Sequence, residues 1–129
     1  PMNFMEGKLE KRDGAFYFNE GIINIKLPDK MNGKLAGYDG KEVVFGIRPE
    51  DIRDPSMSMQ TGGGTPISAK VEVVEPMGNE SIIYMTTGKT PFIARLDSHV
   101  PVKEHEMKSL VMNLDKAHIF DKQTEQTIV

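Results

Sequence analysis

The stretch 67–96, "ISAKVEVVEPMGNESIIYMTTGKTPFIARL", decides how the rest of the chain is read. Ile67, Ala69, Val71 and Val73 alternate with Ser68, Lys70 and Glu72, the period of two that belongs to a half-buried strand, so a strand is predicted over 67–75. Pro76-Met77-Gly78-Asn79 reads as a tight reversal into a second strand over 81–86. Thr87-Gly88-Lys89 turns the chain again into a third over 91–96.

The same pattern extends upstream. Strands are predicted from Asn3 to Lys11 and from Ala15 to Phe18 around the turn Arg12-Asp13-Gly14. A third follows Asn19-Glu20-Gly21 and runs from Ile22 to Leu27, with Ile23, Ile25 and Leu27 on one face. Residues 28–41 hold one proline and several glycines and read as a connection with a single helical turn near Leu35. Strand returns from Glu42 to Arg48, with Val43, Phe45 and Ile47 pointing one way. The segment 53–66, "RDPSMSMQTGGGTP", has little to bury and three consecutive glycines, and is expected to be a mobile loop. Downstream, 97–106 is a polar link, and Met107–Asn113 and Ala117–Phe120 supply two last strands around Leu114-Asp115-Lys116. No window sustains the apolar spacing of a long amphipathic helix. The class is therefore all-β, with about eight or nine short strands in a barrel or sandwich and no internal repeat.

Composition narrows the function. A chain of 129 residues suffices for one domain with its own core. Sixteen Lys and Arg against nineteen Asp and Glu give a net charge of -3, which argues against a surface built for nucleic-acid phosphates or acidic lipid. Cysteine is absent, so disulfides, thiolate metal sites and cysteine nucleophiles are excluded. There is neither a long apolar run nor a signal-peptide pattern, and a soluble chain is expected. The first residue, Pro1, leads us to expect a piece of a longer protein.

The candidate chemistry is thin. Gly88-Lys89-Thr90 ends like a P-loop, but Ile83 stands where the first glycine belongs, and Pro91 follows where a helix should begin, so a hairpin turn is expected. His105-Glu106 opens like a zinc-protease motif, yet Ser109 occupies the place of the second histidine. His99, His105 and His118 show no ligand spacing. Glu50 and Asp51 are adjacent, so on a strand they point to opposite faces and do not form an acid–base pair. Met57, Met59 and the other methionines read as scattered filling. In "FGIRPEDI", residues 45–52, Pro49 removes a backbone donor and holds Arg48 extended, which ends a strand without any ligand. Arg48 is then available to pair with a carboxylate such as Glu50, or with one on another chain.

Four segments in order, "MNF" (2–4), "GIRPEDI" (46–52), "VVEPMGNES" (73–81) and "HIFDKQTEQTI" (118–128), resemble the C-terminal regulatory region of the ATP-binding subunits of bacterial sugar-import ABC transporters of the maltose and glycerol-phosphate type. The resemblance spans essentially the whole chain. It implies a transport-associated OB-like (TOBE-type) β domain, catalytically silent alone. Gly46, Arg48, Pro49 and Glu50 match the family's "GIRPE" corner; Gly78, Asn79 and Glu80 match its "GNE" turn. His118, Phe120 and Asp121 match the closing "H-[LI]-F-D" segment, whose aromatic lies near the dimer contact in the maltose-type importers. Two positions depart: Asp51 stands where the family commonly has histidine, and Glu125 follows Thr124 where it often has glycine.

The resemblance implies further that catalytic, cofactor and metal residues are absent here, with ATP and Mg bound by a preceding ATPase domain. The expected partners are that domain, a second copy of the ATPase subunit, the transporter membrane subunits through it, and a regulatory protein; nucleic acid is not expected. The expected location is the cytoplasmic side of the cell membrane, peripherally. The alternative is a module sensing an oxyanion or sugar, with Arg48, Lys89 or Arg95 supplying charge.

Overall fold

Asp13 and Gly14 both take positive φ, 50° and 81°, which suits a two-residue turn whose twist matches its flanking strands. That turn joins β1 (Asn3–Arg12) to β2 (Ala15–Asn19), with Arg12 opposite Ala15. The structure, a computed structural model, describes residues 1–56 and 66–129. After β3 (Asn24–Lys26), the glycine-rich connection forms α1 (Asn32–Leu35) between two single 3-10 turns, which buries Met31 and Leu35. The helical turn expected near Leu35 is therefore present. β4 (Glu42–Ile47) follows, with Val43, Phe45 and Ile47 buried on one face as the alternation predicts.

The second half holds β5 (Ile52–Arg53), β6 (Ile67–Met77), β7 (Glu80–Thr86), β8 (Pro91–Asp97), β9 (Met107–Met112) and β10 (His118–Asp121). Every strand pair is antiparallel. The strands form two five-stranded sheets, in the orders β10-β4-β1-β2-β3 and β5-β9-β6-β7-β8, and close nearly into a barrel. The all-β OB-like expectation holds, with ten strands among the described residues rather than eight or nine. One core joins both sheets. Phe18 of β2 stacks on Phe45 of β4 at 5.2 Å between ring centroids, and Ile83, Met85 and Leu110 meet them from the second sheet. Each such side chain contributes about 1.5–3 kcal/mol on full burial.

Three expectations change. Val73 was placed on the inner face of β6, but the register shifts between Val71 and Val73, and this bulge turns Val73 outward to 48% exposure. Ile22 is not in a strand; it is 61% exposed at the turn before β3. The expected loop 53–66 begins later than predicted: Arg53 pairs with Val111, and Asp54 is tied to Lys108 of β9 by an ion pair. Residues 57–65, including Met57, Met59 and the three glycines, lie outside the described residues.

Side chains fasten the sheets together at two places. The Asn3 amide donates to the Ile93 carbonyl at 2.8 Å and accepts from the Ile93 N–H at 2.9 Å, so β1 is stitched to the edge strand β8. The Glu20 carboxylate is 0% exposed. It accepts hydrogen bonds from the hydroxyls of Thr87 and Thr90, at 2.6 and 2.5 Å, and from the N–H groups of Ile22 and Ile23. Lys89 completes the clamp by donating to the Glu20 carbonyl at 2.8 Å. The P-loop-like Gly88-Lys89-Thr90 is thus the β7–β8 hairpin turn, as expected, anchored on the turn between β2 and β3.

Candidate functional site

Pro49 is the first residue of a 3-10 turn, with Arg48 before it extended at φ -81° and ψ 150°. The Asp51 N–H donates to the Arg48 carbonyl and the Asn113 N–H donates to the Asp51 carbonyl, at 3.0 and 2.8 Å. Pro49 and Ile52 are buried on either side of this turn. The corner therefore does more than stop a strand. It carries the chain out of the first sheet, where β4 lies, and into the second, where β5 begins. Of the partners considered for Arg48, Glu50 is not engaged by it. Both side chains are exposed, without a hydrogen-bond or ion-pair partner among the described residues, and line a 260 Å³ recess beside Met2.

Gly46 faces outward from β4 at a crowded point. A Cβ there would lie 2.6 Å from the Met2 sulfur and 3.0 Å from the Phe120 ring, so only glycine lets these side chains close over the strand. Phe4 and His118 lie opposite Gly46 on the two neighbouring strands. Phe4 and Phe120 meet edge to face at 6.0 Å and 65°, with His118 at 6.2 Å from Phe120. Phe4 stays 57% exposed. Gly46, His118 and Phe120 thus share an outward aromatic face, bordered by Lys122 with its ion pairs to Glu6 and Glu42.

The remaining motif residues fall elsewhere. Gly78, at φ 82°, and Asn79 make the two-residue turn between β6 and β7, and the Asn79 carbonyl accepts from the Ser98 N–H at 2.9 Å. Glu80 opens β7 opposite Asp97, with its carboxylate 3.8 Å from Arg95. It shares a 290 Å³ cavity with Glu50, so the structure brings the "GIRPE" and "GNE" segments together at one recess. Asp121 caps the final turn, accepting from the N–H groups of Gln123 and Thr124 on its side chain and of Glu125 on its carbonyl.

Two carboxylates here are held below their usual range. Burial pushes Glu20 up, but the hydroxyls of Thr87 and Thr90 and two backbone N–H groups outweigh it. Burial likewise pushes Asp54 up, against stronger hydrogen bonding from Lys108 and Ser56. Sequence reasoning gave no role to Glu20, nor to Asn3 and Phe4 beyond their place in the "MNF" segment. For Phe4 a signal existed: it falls on the polar phase of β1 with Glu6 and Lys8, where an aromatic is out of place.

The paired antiparallel sheets, nearly closed into a barrel, describe an OB-like β domain with an aromatic outer face. The MalK OB fold domain matches residues 1–52 and the TOBE domain matches residues 45–120, so the chain belongs to the TOBE domain family. The two matches overlap at the corner where the chain changes sheets. The chain is 35% identical to the oligosaccharides import ATP-binding protein MsmX of Bacillus subtilis, over 98% of this chain and 34% of that one. It is 37% identical to the trehalose/maltose import ATP-binding protein MalK of Thermococcus litoralis, over 99% and 34%. With the multiple sugar-binding transport ATP-binding protein MsmK of Streptococcus mutans it shares 38%, over 98% and 33%. The chain thus spans about a third of the length of these relatives. The fold is also that of the cytoplasmic molybdate-binding protein ModG, with a TM-score of 0.63 at 14% identity, covering 91% of this chain and 94% of that one.

Proposed function

We propose that this chain is the C-terminal regulatory and dimerisation domain of the ATP-binding subunit of an ABC importer for sugars or related solutes, non-catalytic by itself. The observation that carries this reading is the similarity to three sugar-import ATP-binding proteins over nearly the whole chain but only a third of theirs. ATP and Mg are then bound by the other part of the subunit, which sits at the cytoplasmic side of the membrane and engages the membrane subunits. A regulatory protein is a further partner in this reading.

The domain's contribution is mechanical. A lasting contact between two copies keeps the ATPase parts at high effective concentration while their nucleotide sites separate. The outward face of Phe4 and Phe120 suits such a contact, because large aromatics anchor interfaces and Phe4 has half its surface still to bury. Two measurements test the proposal. The purified 129-residue chain should hydrolyse no ATP, and turnover by it would sink the non-catalytic reading. In the full subunit, Phe4→Ser with Phe120→Ser should weaken nucleotide-free dimerisation by at least about tenfold in sedimentation. Unchanged dimerisation would remove this face from the interface.

A further inference from the structure

The cavity shared by Glu50 and Glu80 draws its walls from segments far apart in sequence. Glu50 comes from the corner, Arg53 from β5, Glu80 from the start of β7, and Arg95, Leu96 and Asp97 from the end of β8. Its volume is 290 Å³, near the lower bound of about 300 Å³ for small-molecule sites, so it suits a molecule of roughly one ring. Buried Leu96 and half-buried Val100 supply an apolar surface.

The polar groups are unequally occupied. Asp54 is engaged by Lys108 and Ser56, and Asp97 by His99. Glu50 and Arg53 have no hydrogen-bond or ion-pair partner among the described residues. Arg95 and Glu80 form an ion pair at 3.8 Å, beyond hydrogen-bond distance, so their hydrogen-bonding positions stay open. Two guanidiniums and two carboxylates thus keep hydrogen-bonding capacity for a ligand. Four carboxylates line the cavity against two guanidiniums, which disfavours an anion. Among the described residues no three acidic or histidine side chains are grouped as a metal ion requires. A hydroxyl both donates and accepts, so a ring or chain of hydroxyls satisfies both kinds of group at once while its C–H face covers the half-buried Val100.

We propose that this cavity binds a neutral polyol of about one sugar ring, its hydroxyls donating to Glu50 and Glu80 and accepting from Arg53 and Arg95. The site shares no residue with the Phe4–Phe120 face and stands independently of the dimer reading. Because the free groups are hydrated without ligand, affinity is expected to be weak, about millimolar.

The test is titration of the ¹⁵N-labelled chain with D-glucose and with sorbitol, followed by amide shifts, with inorganic phosphate as competitor. Saturable shifts confined to residues 50–53, 80 and 95–97 are expected from at least one polyol. Arg53→Ala and Glu80→Gln should each weaken them by about tenfold, with the folded spectrum retained. Phe4→Ser should leave them unchanged. Failure of both polyols to produce a saturable shift would overturn the proposal, as would equal affinity in both cavity variants or displacement by phosphate, which would mark an anion site.

Discussion

Glu20 looks in sequence like the polar residue of a surface turn, yet it is the most completely enclosed charge described in the fold. Replacing it by glutamine removes the charge from four donors and leaves at least one hydroxyl or amide poorly met. Glu20→Gln should therefore cost about 2 kcal/mol in urea unfolding. Its folded pKa lies below the ordinary value of 4.5, so its stabilisation is present above that value and is lost as pH falls through the folded pKa. The penalty of Glu20→Gln should accordingly be full near neutrality and shrink as pH falls below 4.5; a penalty independent of pH would refute the network. Glu125 makes a second prediction. It holds φ 64°, a left-handed conformation unfavourable to residues with a Cβ. Glu125→Gly should raise stability by about 1 kcal/mol, measured as an upward shift of the unfolding midpoint.

At the scale of elements, Asn3 does the work of a missing strand. Its amide supplies one donor and one acceptor to Ile93, as a backbone would, and blunts the edge that β8 otherwise offers to another chain. Asn3→Ala should cost about 2 kcal/mol and speed hydrogen exchange at Ile93 more than at its neighbours in β7. Most elements were legible from alternation and turn residues, because β1, β7 and β8 each have one face more buried than the other. What escaped had no local signature. The bulge that turns Val73 outward is set by pairing with Tyr84 across the sheet. β5 is two residues long and exists only because Val111 and Met112 lie beside it. The corner at Pro49 was readable as the end of a strand, since proline's geometry is local; that it leads into another sheet was not. Of the candidate site, Gly46, His118 and Phe120 were legible by resemblance and do converge. The meeting of Glu50 with Glu80 depends on how two sheets are folded over each other, which no spacing in the chain encodes.

For the molecule as a whole, the order β10-β4-β1-β2-β3 places the last strand against one that began more than seventy residues earlier. Its far edge is then covered by the chain itself: the Ile128 N–H donates to the Ile119 carbonyl and the Ile119 N–H to the Val129 carbonyl. The first sheet to be started is consequently the last to be finished, after every strand of the second has already been made. A growing chain leaving the ribosome must hold β1 to β4 open along one side until β10 arrives. Refolding of the purified chain, followed by stopped-flow fluorescence of its tyrosines, should therefore be slow for its size, on the millisecond-to-second scale of domains rich in distant pairings. Synthesis order, and not only stability, decides when Phe120 comes to rest beside Phe4, so the aromatic face comes into being only after both sheets' other strands have been made.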